Sequence, residues 1–222
     1  MESIAHEMKF RGALFALALF ASSAGAQQTS GFLTDYSKLA PAQDDPNALL
    51  WISKDFDFKP YHKILLEKVE VFVSPTSEYH GVSPDVLEGM TDRYTDSVKE
   101  ALRAGYQLVK KPGPGVLRIR LAITGVSLVK PDFKVRNVIP VVFVVRTVSG
   151  ASQAKNVSLI GEAEVLGPGD DVVAAAVSTG TGGTAVKPGQ HLTWQDVQGL
   201  TDRWAKNLRR RLDDARGVTP HS

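Results

Sequence analysis

Apolar residues recur along the chain at two spacings, and each spacing predicts a different kind of element. From Leu117 to Ile123 every second residue is strongly apolar, which predicts a strand with one face in the core. In two other segments apolar residues recur every third or fourth position, as they do in amphipathic helices. The predicted buried stripes are Leu87, Met90, Tyr94, Val98 and Leu102 in the first helix and Val197, Leu200, Trp204, Leu208 and Leu212 in the second.

Both predicted helices have typical boundary residues. Ser83 followed by Pro84 predicts the start of the first helix, because serine caps a helix and proline fits its first turn. Gly105 predicts the end of that helix, in the left-handed conformation. Thr193, with Asp196 following in the same turn, predicts a capped start for the second helix.

The remaining apolar segments predict a sheet. A GPGD turn at Gly167–Asp170 predicts a hairpin, KKPGPG predicts a turn between two strands, and the glycine-rich 180–190 stretch predicts a loop. Strands are predicted at Ala48–Ile52 as a short edge, at Lys63–Val73 near the middle, and at Tyr106–Val109, Val116–Val126, Ala151–Leu166 and Asp171–Thr179. The order of elements predicts an α+β two-layer sandwich, with a mixed or antiparallel sheet of about five strands and both amphipathic helices on one face.

The N-terminal segment has the features of a secretory signal peptide. Lys9 and Arg11 form a positive region before the apolar stretch Gly12–Ala21. The apolar stretch is shorter than the ~20 residues of a membrane-spanning helix. The predicted cleavage site consists of Ala24, Ala26 and Gln27, with the cut before Gln27.

Domain organisation follows from these features. Residues 1–26 are predicted to be the signal peptide, with Met1 or Met8 as the start, and 27–47 an extended lead-in. Residues 48–217 are predicted to form a single α+β domain, and 218–222 a flexible tail. The lead-in is expected to be held against the domain by Phe32, Leu33 and Tyr36.

Composition excludes several function classes. The formal net charge of +2 predicts no binding to nucleic acid. The absence of cysteine excludes thiol catalysis and thiolate zinc sites. No two of the histidines have metal-ligand spacing, so no metal and no other cofactor is expected; they are His62, His80, His191 and His221 once the signal peptide is removed.

Two pairs of charged residues lie on predicted neighbouring strands. Glu162 and Glu164 share one face of their strand, and Arg118 and Arg120 share one face of theirs. Our hypothesis is that the four form a cross-strand charge ladder on the open side of the sheet. The alternative is a hydrolase in which the carboxylates serve as acid and base.

The run NVIPVVFVV, Asn137–Val145, is unusually apolar and lies between Arg136 and Arg146. One interpretation is a connection folded against the core, with a further strand at Val141–Val145. The other is an exposed loop that inserts into a subunit partner or a membrane interface. The candidate partner contacts are Val138, Ile139, Val142, Phe143, Val144, Arg136 and Arg146, together with Arg118 and Arg120 on the open sheet face.

Several motifs together resemble those of an uncharacterised family of bacterial envelope proteins, the domain of unknown function numbered 3313. The resemblance implies a Gram-negative cell envelope and the same small α+β domain, and it implies no activity and no site residues. Many family members look like lipoproteins, with a cysteine after the signal peptide that this chain lacks. The matching stretches are Ser30–Leu39, Asp92–Asp96, Ala104–Val109, Pro112–Val126, Asn137–Val141, Gly161–Val165 and Leu192–Trp194.

From the residues and the resemblance together we predict a periplasmic protein, exported by a cleaved signal peptide and not lipid-anchored. Its predicted role is a non-enzymatic binding or accessory module. The predicted partner is another envelope protein, a membrane interface or a second copy of the chain. The alternative is a periplasmic protein that binds a small molecule or lipid in a pocket between helices and sheet.

Overall fold

The computed structural model describes residues 29–72, 83–129, 155–187 and 190–218. Within these ranges eight strands form one mixed sheet with the order β1-β2-β8-β7-β6-β3-β5, and β4 pairs with β6 beside β3. The strands are β1 (Ala40–Pro41), β2 (Ala48–Ile52), β3 (Lys63–Leu66), β4 (Glu70–Val71), β5 (Gln107–Leu108), β6 (Val116–Val129), β7 (Lys155–Leu166) and β8 (Val172–Val186). The predicted signal peptide and the Asn137–Val145 run lie outside the described residues.

Both helices pack on the same face of the sheet, as predicted. They are α1 (Pro84–Arg103) and α2 (Gln198–Arg216), and a short 3-10 turn at Trp194–Asp196 precedes α2. Their apolar stripes meet the alternate residues of β6 in one core. The residues that β6 contributes are Leu117, Ile119, Leu121 and Ile123. The α+β class, the mixed sheet and the two helices on one face are therefore confirmed.

The opposite face of the sheet is covered by the lead-in. Phe32 and Leu33 are buried there against Ala122, Ala175 and Val177. The predicted attachment through these lead-in residues is thus observed, and part of the face that the charge-ladder hypothesis leaves open to solvent is covered.

The predicted strand count was too low because several strands are very short. The predicted strand Lys63–Val73 forms two pieces, β3 and β4, both parallel to β6. Between them Val69 is buried, and its N–H donates to Thr95 Oγ1 of α1 at 3.0 Å rather than to a neighbouring strand. This side-chain contact with α1 interrupts the strand, and the apolar pattern of the sequence does not reveal it.

The segments on either side of KKPGPG do not pair with each other. Instead β5 and β6 lie on opposite sides of β3, and both run parallel to it. Both predicted strands therefore exist, but the prediction that they pair with each other was wrong. The chain crosses over through α1 before β5, and such a crossover places β5 parallel to β3.

The glycine-rich segment after Thr179 continues as strand β8 to Val186, so the prediction of a loop was wrong. A Cβ on Gly182 would overlap the backbone carbonyl oxygen of Asp196, and one on Gly180 would overlap Leu200. The glycines therefore allow α2 and its preceding turn to pack directly onto the strand.

The helix boundaries follow the predictions with two differences. Ser83 is the N-cap of α1, but the C-cap of the helix is Ala104, with right-handed backbone angles, rather than a left-handed Gly105. Thr193 N donates to Asp196 Oδ2 at 2.8 Å, as the predicted cap requires. That cap begins the 3-10 turn, and α2 itself starts at Gln198.

Candidate functional site

Two neighbouring regions of the sheet are candidates for a functional site among the described residues. One is the carboxylate pair, Glu162 and Glu164, on the face covered by the lead-in. The other is an apolar cavity on the opposite face, under α2. Strand alternation directs the two glutamates of β7 to the face away from the helices. Their exposed fractions are 2% and 0%, which is unusual for carboxylates.

Glu164 is held by two donors from different parts of the chain. Arg120 lies directly across the strand pair, and its Nη1 donates to Glu164 Oε2 at 2.9 Å. The other oxygen of Glu164 accepts the backbone N–H of Thr34 in the lead-in. The guanidinium of Arg120 in turn lies 4.8 Å from the ring centroid of Phe32. Arg120 and Glu164 together thus bind the lead-in to the sheet.

Glu162 is held in the same way by hydroxyl groups. Thr124 Oγ1 donates to Glu162 Oε1 at 2.8 Å, and the hydroxyl of Tyr36 donates to Oε2 at 2.6 Å. The Tyr36 oxygen also accepts the backbone N–H groups of Gly31 and Leu33, both at 3.2 Å. A single tyrosine therefore links the turn of the lead-in to the buried carboxylate.

This geometry confirms the charge-ladder hypothesis only for Arg120 and Glu164. Glu162 lies across from Ala122, not from an arginine. Arg118 lies across from Leu166 and pairs instead with Glu67 at 3.4 Å and Asp170 at 2.8 Å. The carboxylate oxygens that an acid or base would use are bonded to donors of the chain itself. The arrangement is suited to holding the lead-in in place.

We expect Tyr36→Phe to lower the free energy of unfolding by about 1.5 kcal/mol at neutral pH, because a hydrogen bond to a charged carboxylate is lost. Chemical denaturation measures this change. Tyr61→Phe is the control, since Tyr61 packs through its ring on Phe56. Equal effects of the two changes would show that the Tyr36 hydroxyl does not stabilise the lead-in.

The contact between Tyr36 and Glu162 also makes the free energy of unfolding depend on pH. Burial, followed by the hydrogen bond to Glu162, raises the pKa of Tyr36 to about 12, from about 10 in an unfolded chain. The contribution of this hydroxyl is therefore complete below about pH 10 and is lost as the pH rises to about 12. The stability difference between the wild type and Tyr36→Phe should disappear over this interval.

The cavity lies between α2 and the strands β2, β8 and β7, with a volume of about 60 Å³. Small residues form its floor; they are Gly161, Ala163, Ala174 and Ala176. Larger apolar residues form its walls; they are Leu50 and Ile52 of β2 and Trp204, Leu208 and Leu212 of α2. Space remains beside the short side chains of Ala163, Ala174 and Ala176, whereas at Gly161 the ring of Trp204 packs directly on the strand.

Four polar or charged residues also line this largely apolar space; they are Glu162, Ser178, Asn207 and Arg211. Arg211 of α2 lines the cavity, and its Nη2 bonds to Asp44 Oδ1 at 3.2 Å. Asp44 also bonds to Arg210 and belongs to the segment between β1 and β2. Arg210 also pairs within its own helix with Asp214, four residues on, at 3.2 Å. The contact with Asp44 was missed, because no local spacing relates residues so distant in the chain.

Of the predicted partner contacts, only Arg118 and Arg120 lie within the described residues. Both form ion pairs with carboxylates of the same chain. Their predicted contact with a partner stays a prediction. The other candidates lie outside the described ranges, as do the predicted cleavage residues; they are Val138, Ile139, Val142, Phe143, Val144, Arg136 and Arg146, and Ala24, Ala26 and Gln27.

Two searches of the described residues bear on other site types. Among these residues no group of three or more histidine, cysteine, aspartate or glutamate side chains is placed to hold a metal ion. Within the same ranges neither helix combines the length and the apolar character that a membrane crossing requires.

Residues 28–208 match the model of a family described as "Protein of unknown function (DUF3313)". The chain belongs to this family. The resemblance inferred from the sequence motifs is therefore confirmed over most of the chain.

Among curated relatives, the DUF3313 chain is similar to two proteins described as "Uncharacterized lipoprotein YdcL", one from Escherichia coli strain K12 and one from Escherichia coli O157:H7. Each is 33% identical over 119 residues, which cover 52% of this chain and 53% of the relative. The chain thus spans about half the length of the curated relatives it matches.

Two solved structures are also similar to this chain. The PelC dodecamer from Paraburkholderia phytofirmans is 9% identical, with a TM-score of 0.33, over 78% of this chain and 98% of that one. A DUF4136 family protein from Bacteroides thetaiotaomicron is 14% identical, with the same TM-score of 0.33, over 78% and 98%. At such low TM-scores neither likeness carries an argument about this chain.

The relatives correct one prediction, that the protein is free in the periplasm without a lipid anchor. That prediction depended on the absence of cysteine from the sequence. It is contradicted because the curated relatives are described as lipoproteins, a class that is typically lipid-anchored.

Proposed function

We propose that this DUF3313 protein is an envelope-associated binding protein without enzymatic activity, and that it binds an apolar group in the cavity under α2. The envelope association is supported by the description of its relatives as lipoproteins. The absence of activity is supported by the carboxylate pair, whose oxygens are bonded to Arg120, Thr34, Thr124 and Tyr36 of the same chain.

The observation that carries the binding role is the apolar cavity itself. A cavity lined by apolar groups stays dry and favours an apolar guest, because water inside it lacks hydrogen-bond partners. The volume of about 60 Å³ has room for about four water-sized groups. This space accommodates the end of an alkyl chain and is smaller than a typical pocket for a drug-sized ligand.

We expect Ala176→Leu to weaken binding of a medium-chain alcohol by at least about tenfold, because the added methyl and methylene groups occupy the cavity. Binding of a brominated alcohol is measured by quenching of the fluorescence of Trp204, which lines the cavity. The free energy of unfolding should change by less than about 1.5 kcal/mol, since a cavity is being filled.

The matched control is Ala185→Leu, a change of the same size on the same strand β8 at a residue that does not line this cavity. It should bind the alcohol as the wild type does. Unchanged binding by Ala176→Leu, or the absence of saturable quenching in the wild type, would contradict the proposed function.

A further inference from the structure

Arg211 connects the cavity to a charged cluster on the surface. Its side chain is 11% exposed and lines the cavity, while its partner Asp44 is 31% exposed. Its Nε and Nη2 bond to the two oxygens of Asp44 at 3.3 and 3.2 Å. The guanidinium of Arg211 therefore lies between the apolar space and the solvent, and holds one carboxylate with two donors.

Asp44 remains ionised in this position. Burial raises its pKa, but hydrogen bonds from Arg210 and Arg211 outweigh that effect and lower the pKa to about 2. Arg210 has a second carboxylate partner, Asp214, at 3.2 Å. Among the ion pairs of the described residues, Asp44 is the partner of Arg211, so a molecule that separates the two leaves a guanidinium in need of an anion.

The cavity accommodates the end of an alkyl chain, and Arg211 is a basic residue of its lining. A longer chain that leaves the cavity beside Arg211 displaces this side chain from Asp44. The contact that restrains it is an ion pair with the partly exposed Asp44, and ion pairs near the surface contribute little to stability. Burial of several methylene groups therefore outweighs the displacement of Asp44.

We propose that the ligand of this cavity is an anionic single-chain amphiphile, whose chain lies under α2 and whose head replaces Asp44 on Arg211. A guanidinium offers paired N–H donors that match the oxygens of a carboxylate or a phosphate, so either head fits this chemistry. This inference rests on the proposed function, and adds to it the class of ligand and the residue that selects it.

The test compares brominated forms of a medium-chain fatty acid, an alkyl phosphate and the corresponding alcohol, again through quenching of Trp204. The wild type should bind the anionic amphiphiles about tenfold more tightly than the alcohol, because a charge-assisted hydrogen bond is added. Tighter binding of the acid or of the phosphate identifies the head, and both results support the proposal.

Two variants test whether the Arg211–Asp44 pair determines the preference for an anionic head. Arg211→Gln should remove the preference for an anionic head and keep the binding of the alcohol. Asp44→Asn should bind the anionic amphiphiles more tightly than the wild type does, because a competing carboxylate is lost. Arg203→Gln is the matched control, since Arg203 is an exposed arginine of the same helix, and it should keep the wild-type preference.

The possible failures are distinguishable. Equal binding of acid, phosphate and alcohol by the wild type and by Asp44→Asn would overturn the inference and leave the proposed function standing. Absence of saturable binding of every amphiphile by both proteins would overturn the two together. Because Asp44→Asn predicts a gain, a loss of folding in Arg211→Gln does not leave the inference undecided.

Discussion

Replacing Arg120 by alanine is expected to lower the free energy of unfolding by about 3 kcal/mol, because it leaves a buried carboxyl group without its charged partner. Glu164 is fully buried, and with Arg120 absent its carboxyl group keeps the Thr34 N–H as its donor. Removal of one partner of a buried pair exposes the full desolvation cost of the other.

Arg118 provides a matched control on the same strand. The two arginine side chains are almost equally exposed, at 30% and 29%, and both form ion pairs. Both pair with the partly exposed Glu67, but the second partner of Arg118 is Asp170, which is 74% exposed, whereas that of Arg120 is Glu164, which is 0% exposed. Arg118→Ala should therefore cost no more than about 1 kcal/mol.

Urea denaturation of the two variants measures the difference. The double variant Arg120→Ala, Glu164→Gln should regain part of the lost stability, because the amide carries no charge and still offers an oxygen to Thr34. Similar losses in Arg118→Ala and Arg120→Ala would mean that burial of the partner does not determine the cost, and would contradict the account of the carboxylate pair.

A second large effect is expected for Gly182→Ala, which should lower the free energy of unfolding by about 3 kcal/mol. A Cβ at this position overlaps the backbone carbonyl oxygen of Asp196. A flexible side chain can rotate away from such a clash, but a backbone group can move only with its whole segment, here the turn that leads into α2. The strand and the turn must therefore separate.

The neighbouring glycine is the control. A Cβ on Gly183 has no atom within 4 Å among the described residues. Gly183→Ala should therefore change the free energy of unfolding by no more than about 0.5 kcal/mol. Thermal unfolding followed by circular dichroism compares the two variants directly, and equal melting temperatures would show that β8 and the turn are not in close contact.

The attachment of the lead-in to the sheet was predicted in part from the apolar residues in its sequence. Phe32, Leu33 and Tyr36 were predicted to attach it, because large apolar residues in a polar segment need a surface to cover them. Which surface they cover, and that Tyr36 and Thr34 satisfy two buried glutamates there, depends on contacts between residues more than a hundred positions apart.

Periodicity in the sequence sufficed to predict α1, α2 and β6, the GPGD turn predicted the β7–β8 hairpin, and the order of these elements predicted the α+β sandwich. The pairing of β3 with β5 and β6, the extension of β8 through its glycines, and the cavity under α2 were decided by tertiary packing. A regular repeat of apolar residues indicates only that one side of a helix or strand is buried. The distance between two packed elements, and so the space or ion pair left between them, depends on side-chain volumes contributed by both.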